Sequence, residues 1–103
     1  MAYKLVISER AESHIDNIID YVVNILKNPG AASAILSDIE ESYDKIEYFA
    51  DSFALCNDAF LAERGFRKIV LSKHNYLIVY RVEGEEARIY GVFHMREEYA
   101  SKL

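Results

Sequence analysis

The sequence predicts an α+β fold, in which an N-terminal helical hairpin packs on one face of a twisted, mainly antiparallel sheet in the order β-α-α-β-β-β. Three observations carry that expectation. Apolar residues recur at a period near 3.6 through residues 11–26 and again through residues 32–50. Beyond Gly65 the chain turns to β-branched and aromatic runs separated by short polar turns. And 103 residues are expected to form one domain, 1–103, because a second core would leave each half below independent stability.

In chain order, Tyr3 to Ile7 reads as a short strand. Ser8 then caps a helix whose first turn carries Glu9 and Glu12, both favourable to the helix dipole. Its stripe runs Ala11, Ile15, Ile18, Ile19, Val22, Ile25, Leu26, and Asn28-Pro29-Gly30 is expected to stop it. A second stripe follows as Ala32, Ile35, Leu36, Ile39, Tyr43, Ile46, Phe49, Ala50. The opposite face, with Asp38, Glu40, Glu41, Asp44, Lys45 and Glu47, is expected to be wet. So short a connection makes the two helices antiparallel neighbours. After an irregular stretch from about Asp51 to Gly65, strands are expected at Phe66–Leu71, Tyr76–Val82 and Ala87–Met95. Lys73-His74-Asn75 and Glu83-Gly84-Glu85-Glu86 supply the turns of an antiparallel meander. The middle run is nearly apolar on both faces, which places it centrally, and Tyr76 and Tyr80 belong to the core.

Composition excludes several classes. A chain that is 51% hydrophobic and 28% charged is balanced like a globular protein. The single cysteine, Cys56, forbids an internal disulfide and points to a reducing cytoplasm, with the thiol acting as a small buried hydrophobe. The segment Met1-Ala2-Tyr3-Lys4 opens no uninterrupted apolar stretch of the signal-peptide kind, and nothing approaches a membrane span. The net charge of −5 is uneven: acidic residues dominate up to residue 63, and basic ones dominate from Arg64 onward.

Little of the usual chemistry has a sequence signature here. One Cys and three dispersed His give no metal-ligand spacing, so no metal or other cofactor is expected. There is no glycine-rich phosphate loop and no Gly-flanked serine nucleophile. The unusual residues lie on the strands. Strict alternation would put Arg88, Tyr90, Val92, His94 and Arg96 on one side, while Arg67 and Arg81 are charges embedded in apolar runs. Arg67, Arg81, His94 and Arg96 with Tyr99 are therefore expected to form a concave cationic group on the sheet face that the helices leave uncovered. Arginine forks bind phosphate oxygens, histidine shuttles protons near neutrality, and tyrosine offers a surface for bases. The plainer alternative pairs Arg67 and Arg81 with Glu83, Glu85 or Glu86 as ordinary sheet charges, with His94 structural and His74 idle in its turn.

Taken in order, several segments carry a likeness: Tyr3-Lys4-Leu5-Val6-Ile7-Ser8, Pro29 with Ala31-Ala32, Gly65-Phe66-Arg67-Lys68-Ile69, Tyr76-x-Ile78-x-Tyr80-Arg81-Val82, and Val92-Phe93-His94-Met95-Arg96-Glu97-Glu98-Tyr99. Together they resemble the RelE/ParE superfamily of toxins from bacterial type II toxin–antitoxin modules. The resemblance implies a small α+β domain held inactive by a cognate antitoxin that wraps it. The basic half and the apolar grooves beside the hairpin suit an acidic, partly disordered partner. It further implies one of two targets. RelE-like members cleave ribosome-bound mRNA, for which Arg67 and Arg81 would stabilise phosphate charge, His94 or Tyr99 would move the proton, and Arg96 would contact phosphate. ParE-like members inhibit DNA gyrase without chemistry of their own. A third outcome is a non-toxic relative that only binds its antitoxin. The sequence favours mRNA cleavage by the expected convergence of those five residues.

Overall fold

The computed structural model describes residues 2–103, so Met1 of the N-terminal segment lies outside the described residues. Strand β1, Lys4–Ile7, leads directly into helix α1, Glu9–Asp20, whose N-cap Ser8 accepts a hydrogen bond from the Ala11 amide at 3.1 Å. The α-helix does not run on to Leu26 as the apolar stripe suggested. Residues Tyr21–Ile25 widen into a π-helical turn, with the Leu26 amide reaching back to the Tyr21 carbonyl at 3.1 Å. The wider turn changes the angular phase of the stripe. Val22 stays buried, but Ile25 and Leu26 emerge 65% and 55% exposed.

Asn28-Pro29-Gly30 does not terminate the first helix either; it begins the second. Asn28 accepts from the Ala31 amide at 3.1 Å and caps α2, Pro29–Phe49. Proline is suited to that first turn because its missing N–H has no intrahelical acceptor there. The stretch expected to be irregular holds a 3₁₀ turn, Ala50–Ser52, and a short helix α3, Ala59–Glu63, capped by Asp58 at 3.0 Å to the Leu61 amide.

Strands β2, Phe66–Val70, β3, Tyr76–Glu83, and β4, Glu86–His94, form the antiparallel meander, each within a residue or so of its expected bounds. The β3–β4 loop is only Gly84-Glu85, and Gly84 takes a φ of +63° that a two-residue hairpin favours and that glycine adopts without strain. The sheet order is β1-β4-β3-β2, with β1 parallel to β4 (Leu5 opposite Ala87, Ile7 opposite Ile89), so the sheet is mixed and β3 is interior. The meander contains one irregularity. Val79 pairs with Gly91 but Tyr80 pairs with Ile89, leaving Tyr90 as an extra residue in β4.

Two cores result. On one face Ile69, Ile78, Tyr80 and Ile89 meet Ile35, Ile39 and Ile46 of α2 and Ala11 of α1. On the other, Phe66, Leu77, Val79 and Phe93 are roofed by Cys56, by Leu61 of α3, and by Tyr99, Ala100 and Leu103 of the C-terminal segment. The face expected to lie open is thus partly covered.

Candidate functional site

The five candidate residues do not gather. Side chains directly opposite on paired strands share a face. Arg67 lies opposite Tyr80, and Arg81 lies opposite Phe66. Tyr80 belongs to the hairpin-side core and Phe66 to the far core. Arg67 and Arg81 therefore project from opposite faces of the sheet, and the single cationic hollow expected from the sequence does not form. The sequence puts both arginines on strands but does not report the register between those strands, and that register turns the two side chains to opposite sides.

On the hairpin side, Arg67 Nη1 donates to the Phe53 carbonyl at 2.6 Å and so ties the loop after α2 to the sheet. Backbone pairing strengthens the same junction, with the Lys68 amide on the Ala54 carbonyl at 3.1 Å and the Cys56 amide on the Phe66 carbonyl at 2.9 Å. Next to it, the wholly buried Tyr80 donates its hydroxyl to the Ala50 carbonyl.

Arg81 sits in a neutral network on the far face. Its Nε and Nη2 grip Glu83 Oε2 at 2.9 and 2.7 Å, and its guanidinium lies 5.0 Å from the Phe66 ring and 5.5 Å from the Tyr90 ring. Tyr90 donates its hydroxyl to the same Glu83 oxygen at 2.6 Å. Arg88 approaches Glu83 Oε1 at 3.4 Å and holds Glu86 at 2.9 Å, so two cations face two anions. The hydrogen bond from Tyr90, followed by that from Arg81, holds the Glu83 carboxyl below its ordinary range. Reciprocally, the bond to Glu83 pushes Arg81 up, against the opposing effect of its burial. This is the plainer sheet-charge arrangement for Arg81. The guanidinium already has its carboxylate, which is what makes the position tolerable in an apolar strand.

The extra residue in β4 moves His94. Past Tyr90 the alternation is reversed, so Val92 pairs with Ile78 and His94 with Tyr76, which is packed on the hairpin-side core. His94 thus leaves the side that holds Arg88 and Tyr90. Its ring lies edge-on to Tyr76 with centroids 5.4 Å apart, and its Nδ1 accepts the Arg96 amide at 3.1 Å. Arg96 follows the end of β4 as an exposed residue. Tyr99, in the 3₁₀ turn Tyr99–Lys102, stacks on Phe93 at 5.7 Å over the far core. Burial, then the neighbouring Cys56, raises its hydroxyl to about 12, so it remains protonated at neutral pH.

Other residues form organised polar networks that sequence reasoning passed over. Asp38, expected on the wet face of α2, is only 3% exposed. Its carboxylate receives the Ser72 amide at 3.2 Å, the Lys73 amide at 2.9 Å and His74 Nδ1 at 2.8 Å, so it pins the β2–β3 turn to the helix and gives His74 a partner. Burial acts to raise Asp38, but the bonds from His74, Lys73 and Ser72 outweigh it and leave the carboxyl lowered. The signal was present: Ile35, Asp38, Ser42 and Ile46 step by three and four along one helix face.

His14 closes the other gap. Strand β1 ends opposite Ile89, so β4 beyond that point lacks a neighbour on its outer edge. The Val92 amide there donates to His14 Nδ1 at 3.2 Å, and the His94 amide donates to Glu97 Oε1 at 2.9 Å. Burial, followed by the charge of Arg10, lowers the His14 pKa, which suits an acceptor nitrogen. A side chain at Gly91 would meet the Phe93 ring at 2.6 Å and His14 Nδ1 at 3.0 Å, so only glycine lets α1 approach the strand this closely.

Among the described residues, no group of three or more His, Cys, Asp or Glu is placed to hold a metal ion, and no helix is long and apolar enough to cross a membrane. Several large apolar side chains are exposed, among them Ile25, Leu26, Phe49 and Phe60.

Known proteins share the pattern of this sequence and its fold. The family model described as "ParE toxin of type II toxin-antitoxin system, parDE" matches residues 5–99. Among solved structures the fold is similar to a chain titled "Chromosomal ParDE TA system from P. aeruginosa". The two share 24% sequence identity over 90% of this chain and 96% of that one, with a TM-score of 0.75. No curated protein matches the chain at a significant level.

Proposed function

The chain belongs to the ParE toxin family of type II toxin–antitoxin systems, and from that premise we propose that it arrests growth by binding DNA gyrase and performs no cleavage of its own. Membership implies an antitoxin partner that restrains it, and the proposed target places its action in the cytoplasm, with residues 1–103 working as one domain.

The separation of Arg67 from Arg81 carries this reading. Cleavage of RNA by a ribose 2′-OH needs donors and a proton-transfer group within hydrogen-bond reach of a single phosphate. A phosphate in reach of Arg81 lies across the sheet from Arg67. Arg81 would also have to leave Glu83 and Tyr90 to bind it. The mRNA-cleavage reading, with Arg67, Arg81, His94, Arg96 and Tyr99 as its catalytic group, therefore requires a rearrangement that brings both sheet faces to one substrate.

Two measurements on the same protein test the proposal. Purified protein is added to gyrase and relaxed plasmid, and transcripts are mapped after induction in cells. The expected result is loss of supercoiling activity or trapped DNA breaks, with transcripts intact. Coding-region cuts that vanish in Arg67→Ala or His94→Ala would overturn it in favour of an mRNA interferase. Unimpaired growth with active gyrase would overturn it in favour of a non-toxic relative.

A further inference from the structure

A cavity of about 750 Å³ opens where the end of α2 meets the N-terminal segment and the β3–β4 loop, lined by Ala2, Tyr3, Tyr48, Asp51, Gly84 and Glu85. Two backbone bonds frame it. The Tyr3 amide donates to the Glu47 carbonyl at 2.7 Å, and the Lys4 amide donates to the Glu85 carbonyl at 2.9 Å. Helix and loop are thereby fixed to the same short stretch of chain. Gly84 keeps its side of the cavity open, since nothing lies within 4 Å of where a Cβ would stand.

The electrostatics of this place favour a cation. Helix α2 runs for 21 residues with no basic residue in its last turn, so its own side chains leave the negative end of its dipole unbalanced. That end already draws donors from other elements: the Tyr3 amide on Glu47, the Tyr80 hydroxyl on Ala50 and, just beyond, the Arg67 guanidinium on Phe53. Asp51 and Glu85 are exposed at the cavity, and among the described residues neither forms an ion pair. Two aromatic rings complete the lining, Tyr48 at 61% exposed and Tyr3 half-buried. Two carboxylates are too few to hold a metal ion, whereas tyrosine faces attract organic cations.

We propose that this cavity binds a guanidinium group, with Asp51 and Glu85 accepting its N–H donors and Tyr3 and Tyr48 packing against its plane. A guanidinium suits the place better than an ammonium does, because it is flat, weakly hydrated and presents its donors in a fixed fork. The two carboxylates stand on separate elements, the 3₁₀ turn after α2 and the β3–β4 loop, and so can take donors from two edges of that fork. Free arginine and an arginine side chain within a peptide both carry this group. The site goes beyond the gyrase reading and stands whether or not that reading does.

The test titrates the full chain with N-acetylarginine methylamide, free arginine, N-acetyllysine methylamide and N-acetylcitrulline methylamide, the last keeping the shape of arginine without its charge. Binding is read by NMR shift mapping. The capped arginine is expected to bind in the millimolar range and to move the resonances of Tyr48, Asp51 and Gly84. The lysine probe is expected to bind about threefold more weakly, and the citrulline probe about tenfold more weakly. Free arginine that matches the capped form identifies a small-molecule ligand, and free arginine that binds more weakly identifies a peptide; either order supports the site. Asp51→Asn with Glu85→Gln is expected to weaken the capped arginine about tenfold and Tyr48→Leu about threefold, while Asp44→Asn with Glu63→Gln leaves it unchanged. The probe series on the parent chain remains decisive if a variant fails to fold. Equal binding of the citrulline probe, shifts confined to another surface, variants that bind like the parent, or no binding of any probe would each overturn the proposal.

Discussion

The two faces of the sheet are built differently. The hairpin side meets a helix of 21 residues whose periodic stripe supplies Ile35, Ile39 and Ile46 to one continuous core. The far side is roofed by pieces: a five-residue helix, a single strand-like bridge at Leu55, and a 3₁₀ turn at the C-terminal end. A face covered by one long element depends on side-chain burial, whereas a face covered by fragments depends on the polar bonds that keep each fragment down. That contrast also explains the arginines. Arg67 secures the loop that begins the roof, and Arg81 is balanced where the roof ends.

The contrast is sharpest for buried apolar bulk. Tyr80→Ala on the hairpin side is expected to cost about 3–5 kcal/mol by chemical denaturation, since the ring is fully buried and its hydroxyl serves the Ala50 carbonyl. Leu61→Ala, in the short helix of the far roof, is expected to cost about 2–3 kcal/mol, because that helix can settle towards the sheet and fill part of the space. Equal losses would break the comparison. Next in size is Gly91→Ala, which drives a methyl against Phe93 and is expected to cost about 1–3 kcal/mol in the same assay.

Asp38→Ala strips three donors of their acceptor and is expected to cost about 1–3 kcal/mol. Because its folded pKa lies below the ordinary carboxylate value of 3.8, its contribution is full above that pH and is lost as pH falls through the lower folded value. Thermal melts of Asp38→Ala against the parent should therefore converge only in strong acid. His14 behaves alike near neutrality. Its folded pKa lies below 6.5, so the neutral ring stabilises the fold fully above pH 6.5 and this support fades as pH falls through the lower folded value. A His14→Gln variant should show a flatter melting profile across that range. The smallest expected effect is from Glu83→Gln, at a half-buried balanced network, where melting should shift less than in any variant above.

Much of the architecture was legible because it rests on repetition. The stripe of α2, the turn residues Lys73-His74-Asn75 and the glycine of the β3–β4 loop each signal their element within a few neighbouring positions. Three of the misreadings share one cause, a shift of phase that no local pattern reports. The π-helical turn at Tyr21–Ile25 rotated Ile25 and Leu26 out to water, and the extra residue at Tyr90 reversed His94. The offset between β2 and β3 sent Arg67 and Arg81 to opposite faces. Asp38 was misjudged for a different reason: its residue type argued for water more loudly than its helical position argued for burial.

The single surplus residue in β4 also bears on how relatives of this chain should be compared. A β4 of the same length without that bulge would pair Tyr90 with Val79, and every side chain beyond it would turn over, bringing His94 to the flank that already holds Arg81, Arg88 and Tyr90. Two chains nearly identical letter for letter would then display different chemistry to the same target. Relatives that keep the bulge and relatives that lose it would then differ by strand register and not by composition.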